Sequence, residues 1–363
     1  MSSTREAQKA QFLAEHGLAD ARRFALAGDA STRAYERLHT LSGATLIFMD
    51  QPPNAETAPC GPDFTPEQRR ASGYNALARL AAGRVEAFVA TATHLSGLGL
   101  SAPKIVAFDA PAGLAVLEDL GDALYARLIG NGAGEGELYD AAIDALAAMH
   151  AAPTPDVLTC GEVSWPLLAY DDLALKTAGD LFTEWLPQFK TELPFSEDAV
   201  AEWEALWAPI RSRGEAGADV FCHRDYHAEN LIWLPERPGP ARVGLLDFQD
   251  AVRAHKAWDF SMLLHDARRD VSAEREAASL DHYFALRPDL DREAFMADYN
   301  ALGTLNVARI LGIFSRLIVR DGKPRYAAFM PRLWGYLDRT LAAPGMEPMK
   351  AWFDRHVPIE ART

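Results

Sequence analysis

The chain is short of cysteine and of positive charge. Its three cysteines, Cys60, Cys160 and Cys222, are scattered over 363 residues. This is too sparse for a disulfide framework or a cysteine-rich metal site and is typical of the reducing cytoplasm. Acidic residues outnumber basic ones, 51 against 36, and the formal net charge is −15. Nucleic acids and anionic membranes attract a surplus of Lys and Arg, so neither is expected as the main partner.

The sequence also shows no apolar run typical of a membrane span or an export signal. No run approaches the roughly 18 apolar residues of a membrane span. The polar segment 1–9 is not followed by the apolar stretch of a signal peptide. We therefore expect a cytoplasmic protein without a membrane partner, and the sequence does not indicate its oligomeric state. A hydrophobic content of 49% over 363 residues predicts one two-lobed unit or two modest domains with an ample core.

The most informative motif is His223-Arg224-Asp225, then four residues, then Asn230. An apolar run further along the chain ends at Asp247. This order matches a kinase catalytic loop and its metal-binding Asp. Transfer of the γ-phosphoryl group of ATP needs an oriented acceptor hydroxyl and Mg²⁺, which prefers hard oxygen ligands. We predict Asp225 as the catalytic base and Asn230 and Asp247 as Mg²⁺ ligands; the alternative is a hairpin whose polar residues only form turns.

The apolar patterns predict an α+β protein with two lobes. Residues 1–118 are expected to form a nucleotide-binding lobe around a small antiparallel sheet, and residues 119–363 a mainly helical catalytic and acceptor-binding lobe. Strands are predicted for 24–41 with a turn at its centre, 45–49, 104–108, 114–117 and short runs beside the catalytic motif. Helices are predicted for 5–18, a capped segment from Thr65, 86–98, 138–150, 196–213, 255–270 and 296–319.

Six segments also match a known family: 28–35, 48–53, 117–122, 223–230, 246–251 and 311–317. Through them the chain resembles the aminoglycoside phosphotransferase and choline kinase superfamily, a small-molecule branch of the protein-kinase-like fold, over nearly its whole length. Within that superfamily it is most similar to the anomeric sugar kinases of bacterial cell-wall recycling. Those enzymes phosphorylate N-acetylmuramate and N-acetylglucosamine at the anomeric hydroxyl.

The resemblance implies ATP and Mg²⁺ as cofactors and a bilobal kinase-like fold. The turn Gly28-Asp29-Ala30-Ser31 would lie over the ATP phosphates, and backbone groups from Glu118 to Leu120 would contact adenine. As plain sequence, the first segment is equally a hairpin turn and the second an ordinary strand end. The residues that match the catalytic motif keep the roles given above.

One departure from the kinase pattern concerns the cation that holds the ATP phosphates. Kinases place a Lys on the third strand, but the matching run 46–50 contains neither Lys nor Arg. Arg33 and Arg37 on the neighbouring strand are the candidates to replace it, although either could be an ordinary exposed arginine. The expected helix partner of that Lys, Glu86, is then also in question.

Candidate acceptor-binding residues come from the helical part of the chain. His227 is two residues beyond the predicted base; its alternative role is a hydrogen bond that stabilises the loop. Aromatic faces and carboxylates suit sugars, which favours Tyr170, Glu184 and Trp185, with Trp185 otherwise a core residue. Arg309 and Arg316, seven residues apart on one helix, suit the lactyl carboxylate of N-acetylmuramate; a surface salt bridge is the alternative.

Three functions remain open at this point. The leading hypothesis is an ATP-dependent sugar 1-kinase of peptidoglycan recycling. The second is an aminoglycoside or choline/ethanolamine-type phosphotransferase. The third is a nucleotide-binding pseudokinase, which the missing strand Lys favours and the complete set Asp225, Asn230 and Asp247 opposes.

Overall fold

The structure is a computed structural model that describes residues 2–26, 33–52 and 56–363, and it is an α+β protein. The strands are β1 (Arg22–Ala25), β2 (Ala34–His39), β3 (Thr45–Asp50), β4 (Ile105–Asp109), β5 (Leu114–Glu118), β6 (Val157–Cys160), β7 (Val163–Pro166), β8 (Ala218–Cys222), β9 (Leu231–Trp233), β10 (Val243–Leu245) and β11 (Val252–His255). The α-helices are α1 (Ser2–Glu15), α2 (Pro66–Ser72), α3 (Tyr74–Leu77), α4 (Val85–Gly97), α5 (Tyr125–Gly130), α6 (Glu135–Ala151), α7 (Asp172–Phe189), α8 (Glu197–Ala216), α9 (Ala257–Leu264), α10 (Ala273–Leu286), α11 (Arg292–Val319), α12 (Met330–Leu341) and α13 (Glu347–His356).

The chain packs into two compact units that are not contiguous in sequence. The sheet unit comprises Met1–Ala133, Pro155–Leu168 and Glu229–Ala251, and the helical unit comprises the remainder. These units differ from lobes divided at residues 118 and 119, because two later segments pack with N-terminal residues. The lobe boundary itself stays a prediction.

The sheet unit is built on a five-stranded antiparallel sheet in the order β1-β2-β3-β5-β4. One face is apolar, because alternate residues of a strand point to the same side. Phe48 of β3 lies opposite Val116 of β5, and both are fully buried. Helix α1 covers this face with Phe12 and Leu13. The predicted helix at 5–18 and strand at 45–49 are thus confirmed.

Two further features of the sheet unit support its loops. Helix α2 begins at Thr65 with the predicted capping box: the Thr65 hydroxyl accepts from the Gln68 amide, and the Gln68 side chain accepts from the Thr65 amide. Strands β9 and β10 form a hairpin in which Leu231 is paired with Leu245. The β10 amide of Leu245 also donates to the carbonyl of Ser101 at 2.8 Å, which fastens the hairpin to the segment after α4.

The helical unit is organised around α11, the long buried helix predicted from its apolar run. Helix α11 packs directly on α7, and a Cβ at Gly312 would lie 2.4 Å from the carbonyl of Leu181. Glycine is therefore required for this approach of the two backbones. By length and composition α11 could cross a membrane, but 67% of its most apolar stretch is buried inside the protein. Such burial is typical of a core helix.

The helix predicted for 255–270 is only half right. Helix α9 ends at Leu264, and the chain turns away at His265. The side chain of Asp266 accepts a hydrogen bond from the amide of Arg268 at 2.9 Å. This local bond offers the backbone an alternative to the helical pattern, as Asp often does. The six residues 265–270 consequently lie outside the helix.

Candidate active site

The predicted catalytic loop begins where β8 ends. Strand β8 pairs with β11, so the loop starts from a two-stranded antiparallel ribbon of the helical unit. The buried side chain of Asp259, on α9, accepts from the backbone amides of His223 and Arg224, both at 2.7 Å. The thiol of Cys222 donates to the same carboxylate at 3.1 Å. Burial raises the pKa of Asp259, so these three donors are needed to hold its carboxylate in the core.

This anchoring fixes a strained backbone. Arg224 has φ +77°, a conformation that non-glycine residues rarely adopt. Its guanidinium lies 4.9 Å from the centre of the Tyr170 ring, a cation–π contact. The hydroxyl of Tyr226 donates to the carbonyl of Ala142 at 2.8 Å and ties the loop to α6. Residues on both sides of Asp225 are thereby held in place.

Asp225 lines a cavity of about 160 Å³ in the helical unit. The loop contributes Asp225 and His227, and helix α11 contributes Arg309. The full lining is Asp225, His227, Met262, His265, Asp266, Ala267, Arg268, Arg309, Ile310, Ile313 and Phe314. Two carboxylates and two arginines face an apolar wall in this cavity, which suits a polar molecule with an acidic group.

Arg309 is held in the cavity wall and forms no salt bridge with any residue that the structure describes. Its Nη1 donates to the amide oxygen of Asn306 at 2.8 Å, and its guanidinium lies 5.8 Å from the centre of the Trp258 ring. Asn306 is itself buried and donates to the hydroxyl of Ser261. These neutral partners orient the guanidinium without neutralising it, so its charge remains available to an anionic ligand.

The other predicted acceptor residues do not line this cavity. Tyr170 is buried, with its ring 4.8 Å from that of Trp258 in an edge-on packing. On α7, Glu184 is exposed and Trp185 is half-buried. Arg316 is half-buried, two turns along α11 from Arg309. Their roles in binding an acceptor stay predictions.

Asn230 and Asp247 meet at one end of the β9–β10 hairpin in the sheet unit. The carbonyl of Asn230 accepts from the amide of Leu246 at 2.9 Å, so Asp247 is the next residue beyond the last paired position. Asp247 has φ +58°, a conformation that turns its side chain out of the strand pattern. The predicted metal ligands are therefore neighbours in the fold, although 17 positions separate them in sequence.

The donor chemistry fits Mg²⁺. A carboxylate and an amide oxygen are hard ligands, and Mg²⁺ usually takes one or two protein groups and completes its shell with phosphates and water. No group of three or more His, Cys, Asp or Glu placed to hold a metal occurs within 2–26, 33–52 and 56–363. The pair Asn230 and Asp247 would hold the ion against the nucleotide phosphates and supply charge neutralisation there.

Arg33 approaches the same carboxylate from the start of β2. Its Nη2 donates to Oδ1 of Asp247 at 2.8 Å, and its Nη1 donates to the side-chain oxygen of Gln249 at 2.6 Å. Burial alone would lower the pKa of Arg33, but Tyr35 and Asp247 raise it above its usual value. The side chain of Arg33 is 11% exposed and that of Asp247 is 42% exposed. Arg33 is thus a fixed cation beside the predicted metal ligand.

Arg37 serves a different purpose. Its guanidinium forms ion pairs with Asp119 at 2.7 Å and Asp122 at 2.9 Å, in the segment after β5. Arg33 is therefore the better placed of the two candidates for the phosphate-holding cation. Glu86 pairs with Arg84, two residues earlier, at 2.6 Å. That contact gives Glu86 a local partner at the first turn of α4.

The adenine-binding prediction falls at the end of β5. The amide of Glu118 donates to the carbonyl of Lys104, and its carboxylate accepts from Arg237. Leu120 is buried beside β10, where a Cβ on Gly244 would lie 3.1 Å from it. Adenine contacts at Glu118 and Leu120 stay predictions. The predicted phosphate turn, Gly28, Asp29, Ala30 and Ser31, lies outside the described residues.

Two functional positions were missed from sequence. Asp259 escaped notice because it lies within an apolar segment; a lone acidic residue in such a run was the available signal. Residues 265–268 were assigned to a helix, and only the Asp at 266, which competes with helical hydrogen bonding, indicated otherwise. The first error concerns a residue whose partners are distant in sequence, and the second concerns a local side-chain hydrogen bond.

Comparison with known proteins identifies the family of the chain. The phosphotransferase enzyme family model matches residues 23–296. The chain is 68% identical over 362 residues to a protein from Caulobacter vibrioides named N-acetylmuramate/N-acetylglucosamine kinase, covering 100% of this chain and 99% of the relative. Because both matches cover most of the sequence, the chain belongs to this phosphotransferase family.

Solved structures agree on the fold. A choline/ethanolamine kinase family protein from Mesorhizobium loti is 13% identical, with a TM-score of 0.56 and coverage of 96% of this chain and 98% of that one. An aminoglycoside 2′-phosphotransferase mutant in complex with GDP is 11% identical, with a TM-score of 0.58 and coverage of 93% and 99%. The α+β kinase-like architecture expected from the sequence is confirmed.

Proposed function

We propose that this protein is an ATP- and Mg²⁺-dependent kinase that phosphorylates the anomeric hydroxyl of N-acetylmuramate and N-acetylglucosamine, in the recycling of peptidoglycan sugars. The observation that carries the proposal is the cavity in which Asp225 and Arg309 occur together. The relative from Caulobacter vibrioides, with its 68% identity over the full length, supports the same pair of substrates. A cytoplasmic location, where ATP is available, belongs to the proposal.

The chemistry assigns one task to each group. The Asp225 carboxylate orients the anomeric hydroxyl and accepts its proton as the bond from that oxygen to the γ-phosphorus forms. The bond from the γ-phosphorus to the bridging oxygen of ADP breaks, and ADP departs with the electron pair. Asn230 and Asp247 hold Mg²⁺, which offsets the phosphate charge when bound. Arg33 supplies the fixed positive charge that the third strand lacks.

The composition of the cavity favours an amino sugar over a cationic acceptor. Arg268 and Arg309 face the same space as Asp225 and Asp266. A choline or an aminoglycoside would compete with the two arginines for the two carboxylates and would offer neither arginine an anionic partner. The lactyl carboxylate of N-acetylmuramate would instead pair with Arg309. N-Acetylglucosamine lacks that group and would use the remaining polar contacts.

The test is phosphoryl transfer followed by NMR. The protein is incubated with Mg²⁺-ATP and each sugar, and the product is examined by ³¹P and ¹H spectra. We expect a sugar phosphate whose anomeric proton couples to phosphorus. The methyl glycoside of N-acetylglucosamine, which has no free anomeric hydroxyl, should yield no product.

The Asp225→Asn variant is the matched control for chemistry. Removing a general base typically lowers turnover by 10²- to 10⁴-fold, so we expect a loss in that range with ATP affinity retained. Transfer to choline or kanamycin, with none to either amino sugar, would contradict the proposal and support the second hypothesis. Metal-dependent ATP binding without transfer to any acceptor would support the pseudokinase.

A further inference from the structure

Asp266 is a buried carboxylate in the wall of the cavity that contains Asp225. Only 2% of the surface of Asp266 is accessible to solvent. One carboxylate oxygen, Oδ1, accepts from the amide of Arg268 at 2.9 Å. The other, Oδ2, is buried and has no hydrogen-bond partner among the residues that the structure describes.

The position of Asp266 is fixed by its neighbour. His265 is fully buried, and its Nε2 lies 3.2 Å from the carboxylate of Glu276 and 3.0 Å from the hydroxyl of Tyr299. The Tyr299 hydroxyl donates to the same Glu276 oxygen at 2.7 Å, and Arg339 pairs with the other Glu276 oxygen at 2.9 Å. This network anchors the chain where it leaves α9, at the residue immediately before Asp266.

A buried carboxylate oxygen without a donor is costly. Leaving a buried acceptor unpaired costs about 1–3 kcal/mol, and more when the group is charged. Since Asp266 lines an open space, the missing donor can come from whatever occupies that space. A carboxylate accepts only, so the occupant must present an O–H or N–H group.

The two proposed substrates share suitable donors. Both carry hydroxyls at positions 4 and 6 and an acetamido N–H. The oxygen at position 3 is not common to both, because it forms the lactyl ether in N-acetylmuramate. The anomeric hydroxyl is the reacting group and belongs to Asp225.

We propose that Asp266 is an acceptor-binding residue whose Oδ2 accepts a hydrogen bond from a neutral hydroxyl or amide N–H present in both amino sugars. The inference rests on the proposed function of the cavity. It assigns the common part of the two sugars to Asp266 and leaves the acidic part of N-acetylmuramate to Arg309. Asp266 therefore sets affinity for both substrates, whereas Arg309 distinguishes them.

The experiment compares Asp266→Asn with the wild-type chain and with Asp270→Asn. In Asp266→Asn, the amide oxygen can keep the bond from Arg268, but an NH₂ group replaces the oxygen that faces the cavity. Asp270 lies four residues further on, is exposed and pairs with Arg332, so Asp270→Asn controls for disturbance of the loop. Steady-state kinetics are measured with both sugars and with ATP, and sugar binding without ATP is measured by calorimetry.

We expect KM for both sugars to rise roughly 10- to 100-fold in Asp266→Asn. The kcat and the KM for ATP should change much less, and Asp270→Asn should match the wild type. A KM within twofold of the wild type for both sugars would overturn the role of Asp266 and leave the kinase function intact. A wild-type chain that neither binds nor phosphorylates either sugar would overturn both proposals.

A purely structural role for Asp266 gives a different pattern. Such a role would lower the midpoint of thermal unfolding, reduce kcat and the affinity for ATP, and raise both sugar KM values together. That combined loss would contradict the proposal. An increase in sugar KM with unchanged thermal unfolding and unchanged KM for ATP supports direct binding.

Discussion

The guanidinium of Arg33 and the carboxylate of Asp247 form an ion pair with 2.8 Å between Nη2 and Oδ1. The two residues are 214 positions apart in sequence and belong to the same compact unit. The pair places a permanent cation beside a residue that we assign to Mg²⁺. We therefore expect Arg33 to take the place of the missing third-strand Lys.

Mutation of Arg33 tests whether it takes the role of the missing Lys. Arg33→Met keeps much of the side-chain volume and removes the charge, so ATP should bind more weakly; we expect KM for ATP to rise at least about 10-fold, the effect of losing a charge-assisted contact. Arg37→Met, four residues further along the chain in β2, is the matched control because Arg37 already pairs with Asp119 and Asp122. If Arg37→Met weakened ATP binding and Arg33→Met did not, Arg37 and not Arg33 would be the cation that holds the ATP phosphates.

Asp247 should carry the metal dependence of nucleotide binding. Asp247→Asn preserves the shape and removes the negative charge that attracts Mg²⁺. We expect the variant with Mg²⁺ to bind ATP as weakly as the wild type does in excess EDTA. Titration of ATP with and without Mg²⁺ measures this difference. Full Mg²⁺ stimulation in the variant would remove Asp247 from the metal site.

Arg309 should separate the two sugar substrates. Arg309→Met removes the proposed partner of the lactyl carboxylate, and the loss of one charge-assisted hydrogen bond corresponds to roughly 10- to 100-fold in affinity. We expect KM for N-acetylmuramate to rise by that factor, with little change for N-acetylglucosamine. Arg320→Met, beyond the end of the same helix and paired with Asp321, provides the control. An equal rise in KM for both sugars would show that Arg309 does not bind the lactyl carboxylate.

Glu36 should make the sheet unit sensitive to acid. The guanidinium of Arg23 and the ammonium of Lys9 lower the pKa of Glu36 from its usual 4.5 to about 2. Because the pKa is lower in the folded state, the stabilisation is complete above pH 4.5 and is lost as the pH falls towards 2. Glu36→Gln should destabilise the protein by about 1 kcal/mol at pH 7, after allowance for solvent screening.

Urea unfolding measures the effect of Glu36. The midpoints of the wild-type chain and Glu36→Gln should differ at pH 7 and converge as the pH falls from 4.5 towards 2. A difference that is the same at pH 7 and pH 3 would show that Glu36 contributes by packing and not by charge.

The sequence predicted those parts of the fold that depend on local patterns. Apolar periodicity located α11, and apolar runs beside the motif located β8 and β9. The capping box at Thr65 was predicted because its residues are adjacent and their hydrogen bonds are local. Elements of this kind need no knowledge of distant partners.

The remaining parts of the site depend on contacts between distant segments. Pattern alone could not choose between Arg33 and Arg37, since the choice depends on which carboxylate each one meets. The anchoring role of Asp259 was missed for the same reason, because its partners are 35 to 37 positions earlier in the chain. The cavity residues after α9 were hidden by a helical pattern that a side-chain hydrogen bond interrupts.

The interleaving of the two compact units has a consequence for how the protein is made. A ribosome that has released residues 1–133 has not yet supplied 155–168 or 229–251, which the sheet unit also contains. Strand β10, which bonds to Ser101, is about 140 residues away in sequence. Neither unit can therefore fold completely while the chain is still short. A fragment that ends at residue 133 would lack the β9–β10 hairpin of the sheet unit. Exchange of the sheet unit between relatives would accordingly need coordinated replacement of three segments and not a single crossover.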